Sequence, residues 1–330
     1  MKSRTKPEIS DKTIRTLFAK AEIYGVENIA PLGAGEYNSV YAVDAGEKAY
    51  AVKIAPSRAA KILTYEQQMM AQEVYYYSLM ANRASIRVPE IYYSDFSRTE
   101  IPSEYFIMER LNGTQIDQTE LNDSQKQAVE RELAAMVARL HSVKNDQFGY
   151  RQNQLFENWF LALQAMVNNL LIDCQALGHR SKRGERLLEA VRVHQAVLDK
   201  VDSRLVNFDI WPANIFCEWD DGEPKLAWID PERCMWGDRI ADFVCLAPMK
   251  MSLDQKTETI KAYNRVADQP IEIGREERIR FALMLGYLAL IMEVEKFARY
   301  PVFYFGYWRN VLASRVYYSN CFQQLAELSN

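Results

Sequence analysis

The first part of the chain contains short, mostly apolar runs of the length and composition of β-strands. Three short runs of this kind, IAPL, SVYAV and AYAVKIA, lie between residues 29 and 55 and are separated by glycine-containing turns. Two more, RVPEIYYSD and EYFIMERL, follow a helix predicted at about 60–82. Short runs joined by tight turns favour antiparallel pairing. The pattern predicts a small antiparallel sheet with at least one helix packed against it.

Beyond residue 110 the apolar residues recur at helical spacing. SQKQAVERELAAMVARLHSV is strongly amphipathic, and residues 152–200 predict two helices broken near GHRSKRGE. Residues 275–327 predict further helices, the first of which contains the uncharged run FALMLGYLALIM. We therefore expect a sheet-rich region at 1–110 and a helical region at 111–330, which meet in a hinge at about 107–113.

Composition and charge exclude several classes of function. The chain has 330 residues, of which 48 % are hydrophobic and 25 % charged, as in ordinary globular proteins. Its net charge of −4 gives no global reason to bind nucleic acid or an anionic membrane. The longest apolar run is too short to span a bilayer, and the N-terminus lacks the apolar core of a signal peptide. We expect a cytoplasmic protein with no nucleic-acid, membrane or obligate protein partner.

The cysteines do not indicate a metal site or a disulfide framework. Their number is odd and no C-x-x-C pair is present, so both kinds of site are disfavoured. No G-x-S-x-G motif is present either, which leaves little support for a serine hydrolase. We interpret the cysteines as small buried hydrophobic residues. They are Cys174, Cys217, Cys234, Cys245 and Cys321.

Candidate chemistry begins with a predicted hairpin in which IFCEW and KLAWI flank the turn DDGEP. Asn214 precedes the first strand and Asp230 follows the second. The ends of an antiparallel pair lie about 5 Å apart, so these two side chains should lie close together. An amide oxygen and a carboxylate suit Mg²⁺, which completes its coordination with water and phosphate oxygens.

Asp209 lies shortly before this hairpin, five residues before Asn214. From there it could accept a proton from a hydroxyl held in front of a metal-bound phosphate. The spacing D-x-x-x-x-N, followed by an Asp after a hairpin, matches the catalytic loop of kinases. Taken alone, the spacing is also compatible with ordinary turn and cap residues. Whether this segment is a kinase catalytic loop or an ordinary turn depends on what the N-terminal half of the chain contains.

The N-terminal half contains a glycine turn between two predicted strands, LGAGEYNSVYAV. Gly33 and Gly35 would let backbone N–H groups approach phosphates closely. Asn38 occupies the position that the third glycine of G-x-G-x-x-G would take. A hairpin with two glycines is often only a hairpin, so this motif adds support only in combination with others.

The strand after the glycine turn carries Lys53 among apolar residues, where a lysine is costly to bury without a partner. Glu73, on the following helix, is the partner we expect, in preference to Glu66. Such a pair would direct the ammonium group at phosphates. The alternative is an edge-strand lysine whose ammonium group reaches water.

Taken in this order, these motifs resemble the aminoglycoside phosphotransferase and choline kinase-like family over about residues 25–250. IMERLNGT, ARLHS and WIDPERCMWGDRIADF extend the resemblance. It implies an α+β, two-lobed, protein-kinase-like fold with a small antiparallel-sheet N-lobe and a larger, mainly helical C-lobe. It also implies a small-molecule kinase that uses Mg²⁺ and ATP, or GTP, to phosphorylate a hydroxyl acceptor.

The resemblance also implies a role for each matching residue. Asp209 would be the catalytic base, with Asp238 and Asp242 supporting the site from behind; Asp242 could equally be a helix cap with a solvated face. His141 would be a packed residue at a helix end. The remaining implied roles are Mg²⁺ binding by Asn214 and Asp230, phosphate positioning by Lys53 and Glu73, and adenine binding by the backbone of Glu109 and Leu111.

The chain departs from the family where His-Gly usually precedes the catalytic Asp, because it has Asn207-Phe208 there. Asn207 could take over the structural hydrogen bond of that histidine. Phe208 places a bulky side chain where backbone freedom is usual and could alter access to Asp209. A catalytically silent nucleotide-binding pseudokinase is therefore the alternative. Pro231 fixes φ directly after Asp230 and disfavours a flip of this loop.

The sequence leaves the acceptor open. The predicted helices at 152–200 and 275–327 should form its walls. An aminoglycoside would favour an acidic pocket, to which Glu232 could contribute, and a sugar is a further possibility. Choline or ethanolamine would favour an aromatic cage, although such a stripe also suits a core. The candidate cage residues are Tyr300, Phe303, Tyr304, Phe305, Tyr307 and Trp308.

Overall fold

The computed structural model describes residues 9–33, 38–56 and 62–329. Its strands are β1 Val26–Pro31, β2 Ser39–Ala45, β3 Lys48–Ile54, β4 Ile91–Asp95, β5 Tyr105–Glu109, β6 Thr114–Gln115, β7 Arg204–Val206, β8 Ile215–Asp220, β9 Glu223–Trp228 and β10 Met235–Gly237. Its helices are α1 Asp11–Lys20, α2 Met69–Ala84, α3 Asp123–His141, α4 Trp159–Ala176, α5 Lys182–Val193, α6 Gln195–Leu198, α7 Asp242–Cys245, α8 Thr257–Asn264, α9 Arg275–Arg299 and α10 Phe305–Ser329.

The N-terminal region is an antiparallel sheet in the order β1-β2-β3-β5-β4. On one face, Phe18 of α1 meets Tyr50 edge-on at 5.7 Å between ring centroids. On the other, Tyr77 of α2 meets Phe106 at 6.4 Å. These contacts cover the two faces of the sheet, whose central strand β3 buries Lys53. The predicted sheet and its packed helix are confirmed.

The prediction of a helix from about residue 60 was wrong at its start. A short 3₁₀ turn occupies Thr64–Glu66, where Glu66 Oε2 accepts a hydrogen bond from the backbone N–H of Leu63 at 2.7 Å. Gln68 then takes a left-handed conformation with φ of 54°. A left-handed residue cannot continue a right-handed helix, so α2 begins only at Met69.

The C-terminal region is mainly helical, as predicted. The apolar run FALMLGYLALIM lies in α9, whose side chains in this run are largely buried and which packs against α4, α5 and α10. The predicted break between α4 and α5 occurs at Gly178, which has φ of 82°. The five cysteines are unpaired, four of them buried. Among the residues described, no helix combines the length and apolar character needed to cross a membrane.

The predicted hairpin is confirmed as β8 and β9, paired from Ile215 opposite Trp228 at one end to Asp220 opposite Glu223 at the other. Its turn is tighter than predicted, because Glu223 and the proline after it already belong to β9. Asp221 and Gly222 form the two-residue turn, both with positive φ, 49° and 83°. Two left-handed residues give the twist that an antiparallel pair requires.

Candidate active site

Lys53 is held on β3 by carboxylates that come from distant parts of the chain. It is only 3 % exposed, and its Nζ lies 2.7 Å from Glu73 Oε2 on α2. Asp230 Oδ1, just beyond β9, also accepts a hydrogen bond from Nζ. Burial works against the ammonium charge, but Asp230 and Glu73 outweigh it and raise the pKa of Lys53. Lys53 is therefore a buried cation rather than a surface lysine, and its helix partner is Glu73.

Tyr77 joins the two carboxylates that hold Lys53. It follows Glu73 by one turn of α2, and its hydroxyl donates to Glu73 Oε1 at 3.1 Å. The same hydroxyl accepts from the backbone N–H of Asp230 at 3.0 Å. Asp230 has a left-handed φ of 57°, so this hydrogen bond helps to hold an uncommon backbone conformation. Tyr77 thus links the sheet-side ion pair to the end of the hairpin.

Three carboxylates, those of Glu73, Asp230 and Glu232, lie together beside Lys53. One oxygen from each lies within 4.8 Å of the others, and Glu232 Oε2 is 3.7 Å from Nζ. Burial raises the pKa of Glu232 to about 7, against the opposing effect of Lys53. Burial and the neighbouring carboxylates also raise the pKa of Glu73 to about 8. When all three carboxyl groups are ionised, one ammonium group does not balance them and the cluster has surplus negative charge. Oxygen ligands with surplus charge fit a hard divalent cation such as Mg²⁺.

Asn214 and Asp230 lie at the same end of the hairpin, as predicted. The backbone N–H of Ile229 donates to the carbonyl of Asn214 at 3.0 Å and closes the pair at this end. The side chain of Asn214 is buried, and its Nδ2 donates to Asp209 Oδ2 and to the Asp209 carbonyl, both at 3.1 Å. Nδ2 is therefore engaged, which leaves Oδ1 as the amide atom that could bind a metal.

Asp209 is partly buried, with 23 % of its side chain exposed. Burial raises its pKa above the ordinary value, while the guanidinium of Arg233 works in the opposite direction. The distance from Arg233 Nη1 to Asp209 Oδ1 is 3.7 Å. A carboxylate that is accessible, with a raised pKa and few direct hydrogen bonds, keeps the capacity to accept a proton.

Phe208 does not block Asp209. Its ring is fully buried and packs against Tyr287 at 5.7 Å between centroids. The residue has φ of 55°, a conformation that glycine adopts without strain. Packing of the ring in the core compensates here for the loss of glycine's freedom. The expectation that Phe208 could alter access to Asp209 gains no support, because the side chain points into the core.

The loop before Asp209 is anchored by Asp242, and here two expectations need correction. Asp242 is fully buried and accepts from the backbone N–H groups of Asn207 at 3.1 Å and Phe208 at 2.6 Å. It also lies 3.0 Å from His141 Nε2. A solvated face for Asp242 was therefore wrong. Asn207 contributes its backbone instead of its side chain, whose Oδ1 is buried without a hydrogen-bond partner among the described residues.

Asp238 serves the packing of the C-terminal region. It is fully buried, and its Oδ1 accepts from the backbone N–H of Ile240 and from Arg280 Nη1, both at 3.0 Å. These contacts tie the segment after β10 to α9. His141 lies at the end of α3, as expected, and its Nδ1 is 3.0 Å from the hydroxyl of Tyr263.

The residues expected to contact nucleotide that the structure describes lie just beyond or at the ends of strands in the sheet region. Gly33 is exposed with φ of 74°, and Asn38 is buried. Gly35 lies outside the described residues. Glu109 ends β5, and its backbone N–H donates to the Glu90 carbonyl at 2.8 Å. Leu111 follows in the segment between β5 and β6.

The six aromatic residues proposed as a cage do not act as one group. Tyr300 and Tyr304 stack on each other at 5.6 Å, which leaves no room for a cation between them. Tyr307 packs edge-on against Phe297. Phe303 and Phe305 are 77 % and 79 % exposed, and Trp308 is also exposed. This arrangement does not favour a quaternary amine as the acceptor.

Sequence reasoning missed three residues that shape the site: Tyr77, Arg233 and Glu295. Tyr77 lies four residues after Glu73, so its place on the same helix face could have been found. Arg233 follows the hairpin in WIDPER, where no spacing rule indicates that it turns toward Asp209. Glu295 comes from α9, far along the chain, and only the fold brings its carboxylate to within 2.8 Å of Arg233.

Comparisons with known proteins find relatives over most of the chain. The model of the phosphotransferase enzyme family matches residues 28–278. A protein named "Probable ketoamine kinase" from Enterococcus faecium is 24 % identical over 287 residues, which cover 81 % of this chain and 88 % of that protein.

Two solved structures share the fold. The "putative fructosamine-3-kinase" of Haemophilus somnus 129PT matches with a TM-score of 0.68 and 18 % identity, covering 95 % of this chain and 97 % of the other. A thermostable mutant of an aminoglycoside phosphotransferase, in ternary complex with AMP-PNP and hygromycin B, matches with a TM-score of 0.62 and 16 % identity. That match covers 95 % of this chain and 98 % of the other. The fold is therefore the two-lobed, kinase-like one.

Proposed function

Because the chain belongs to the phosphotransferase enzyme family and is a small-molecule kinase, we propose that it transfers the γ-phosphate of ATP, or GTP, to a hydroxyl group with Asp209 as the general base. The observation that carries this proposal is that Asp230, which is partly exposed, hydrogen-bonds the buried Lys53–Glu73 pair and lies near enough to Asp209 to act on its charge. The nucleotide would occupy the region at 1–110, and the acceptor would lie against the region at 111–330.

Some residues of the site would neutralise phosphate charge, and Asp209 would accept a proton. Asp230 and Asn214 would hold Mg²⁺, and the ion would supply positive charge to the phosphate oxygens. Lys53, aimed by Glu73, would bind phosphate oxygens on the sheet side. Asp209 would accept the proton of the acceptor hydroxyl, whose oxygen then forms the new bond to phosphorus while the nucleoside diphosphate leaves.

The nucleotide would lie along the glycine turn and the hinge. Gly33, Gly35 and Asn38 would bring backbone N–H groups to the phosphates. Glu109 and Leu111 would contact adenine through their backbones. Because the N–H of Glu109 is already bonded to Glu90, its contact would run through the carbonyl oxygen, and that of Leu111 through the N–H.

The acceptor is to be sought among sugar-amine adducts and aminoglycosides before choline. The name of the Enterococcus relative supports a ketoamine, and the stacking of Tyr300 on Tyr304 argues against a choline cage. A panel containing a ketoamine, an aminoglycoside, a sugar and choline, each followed by nucleoside diphosphate release, would separate these classes. We place the activity in the cytoplasm, in keeping with the unpaired cysteines.

Replacing the base tests the proposal most directly. Asp209→Asn should lower kcat by about 10²- to 10⁴-fold, the usual contribution of a general base, and leave the KM of Mg-nucleotide unchanged. Asp221→Asn at the exposed hairpin turn is the matched control, because Asn also tolerates left-handed φ. Full transfer by Asp209→Asn would contradict the proposal.

The pseudokinase alternative predicts a different pair of results. A silent module would be stabilised by Mg-nucleotide in a thermal-shift assay and yet transfer phosphate to no member of the panel. The buried Phe208 ring and the accessible Asp209 carboxylate favour turnover instead. Nucleotide-dependent stabilisation without transfer would decide for the silent module.

A further inference from the structure

Arg233 stands between the proposed base and a buried glutamate of α9. Its Nη2 lies 2.8 Å from Glu295 Oε1, whereas its Nη1 lies 3.7 Å from Asp209 Oδ1. The guanidinium therefore binds Glu295 at hydrogen-bonding distance and only approaches Asp209. Only 14 % of the Arg233 side chain and 7 % of the Glu295 side chain are exposed, so water screens these charges weakly.

Glu295 is held in turn by other groups. Its Oε1 accepts from the Tyr65 hydroxyl and lies 3.2 Å from Arg299 Nη2. Arg299 also pairs with Glu66 in the 3₁₀ turn before α2. Burial works against the charge of Glu295, but Arg299 and Arg233 outweigh it and lower its pKa. Glu295 is thus an ionised, well-anchored partner for Arg233.

The difference between the two distances matters for chemistry. An arginine that closed on Asp209 in a two-pronged pair would occupy the oxygens that must accept the proton. At 3.7 Å, the positive charge of Arg233 still attracts the Asp209 carboxylate electrostatically. Oδ1 is not hydrogen-bonded by the arginine at this distance and can accept a proton. Glu295 is the closer partner, and it accepts a hydrogen bond from Nη2 of the guanidinium.

We propose that Arg233 is a positioning residue for Asp209 and that Glu295 sets its distance from the carboxylate. This inference rests on the proposed function, in which Asp209 is the base. It assigns to α9 a part in phosphate transfer, through a chain of alternating charges that runs from Asp209 through Arg233, Glu295 and Arg299 to Glu66. Neither Arg233 nor Glu295 needs to touch nucleotide or acceptor.

The test replaces Glu295 by its neutral isostere. Glu295→Gln should lower kcat by about 10- to 100-fold, the usual cost of a misplaced catalytic group, with no change in the KM of Mg-nucleotide. Glu293→Gln is the matched control on the same helix, since Glu293 accepts from Ser181 and Tyr318 and faces away from Asp209. It should keep the wild-type kcat.

A double-mutant cycle separates positioning from a structural role. In an Asp209→Asn background, Glu295→Gln should cause little further loss of kcat, because it acts through the carboxylate already removed. A purely structural role would instead give the same loss in both backgrounds, together with a lower thermal midpoint and weaker nucleotide-dependent stabilisation. That result would overturn the inference.

Arg233→Lys provides a second variant should Glu295→Gln fold poorly. Lysine keeps the charge but lacks the planar guanidinium, which bonds Glu295 through one nitrogen and faces Asp209 with another, so kcat should again fall with the nucleotide KM unchanged. A wild-type kcat in either variant overturns the positioning role alone. An active wild type that is indifferent to Asp209→Asn overturns the proposed function, and this inference with it.

Discussion

Two buried lysines, Lys53 and Lys256, show how surroundings decide what a buried charge can do. They are 3 % and 0 % exposed, so burial does not distinguish them. Lys53 contacts the carboxylates of Glu73 and Asp230. Lys256 donates to the backbone carbonyls of Leu246 and Ala247, the latter at 2.8 Å.

The two surroundings shift the pKa in opposite directions. Carboxylates around Lys53 outweigh its burial and raise the pKa, whereas burial lowers the pKa of Lys256 to about 7. The first lysine stays charged across physiological pH and is available to an anionic ligand. The second caps the carbonyls that follow α7, and its charge changes near neutral pH. Lysine burial alone therefore does not identify a phosphate site.

The largest effect should come from removing the first of these charges. Lys53→Met should lower kcat by about 10³-fold or more, since several kcal/mol of charge stabilisation would be lost. Steady-state kinetics with Mg-nucleotide would measure it. Lys256→Met is the matched control at a buried lysine and should keep most of the activity at pH 7. Equal losses in both variants would abolish the distinction between the two sites.

A smaller effect should follow from removing the hydrogen bonds that position Glu73 and Asp230 around Lys53. Tyr77→Phe removes the hydroxyl that joins Glu73 to the backbone of Asp230, and should cost about 1–3 kcal/mol of stability for the unsatisfied groups. We also expect kcat to fall about tenfold, which corresponds to a rise of about 1.4 kcal/mol in the activation free energy. Chemical denaturation and kinetics would measure the two quantities.

Tyr76→Phe is the control for this change. The hydroxyl of Tyr76 is buried and has no hydrogen-bond partner among the described residues, so its removal should not destabilise the fold. The two substitutions remove the same atom from adjacent positions on α2. Should they prove equally harmful, the hydrogen bonds of Tyr77 would not be the reason for its effect.

The smallest effect concerns the pH dependence of stability. Because the folded-state pKa of Lys256 lies below that of the unfolded chain, the unfolded state binds more protons between about pH 7 and pH 10.5. Stability should therefore rise with pH in this window relative to Lys256→Met, by on the order of 1 kcal/mol per pH unit. Denaturant titrations of both proteins from pH 7.5 to 9.5 would measure this difference. If Lys256 were charged throughout, the free energy of unfolding of the two proteins would change with pH in parallel.

Local patterns predicted most of the fold. The short apolar runs of AYAVKIA and of the two hairpin strands are a property of adjacent residues, and the structure forms strands there. The start of α2 could not be predicted in this way. It depends on Glu66 bonding to the backbone at Leu63 and on a left-handed Gln68, neither of which helical spacing reveals.

The site was predictable where its residues follow a motif order and unpredictable where packing alone unites them. Lys53 and Glu73 were found because a strand lysine needs a partner, and the next helix offers one. Arg233 and Glu295 were missed because their meeting depends on how α9 packs relative to the turn that follows β9. Phe208 was misjudged, since only the structure shows that its ring has a place in the core.

The hairpin β8–β9 divides sharply into a tip and a base with different tolerance to change. At the base, the pairing of Ile215 with Trp228 fixes the separation of the residues on either side of it. A single-residue insertion within either strand would turn Asp230 to the opposite face of the ribbon. At the tip, Asp221 and Gly222 are exposed, so a short peptide tag grafted there would leave the distant carboxylates undisturbed.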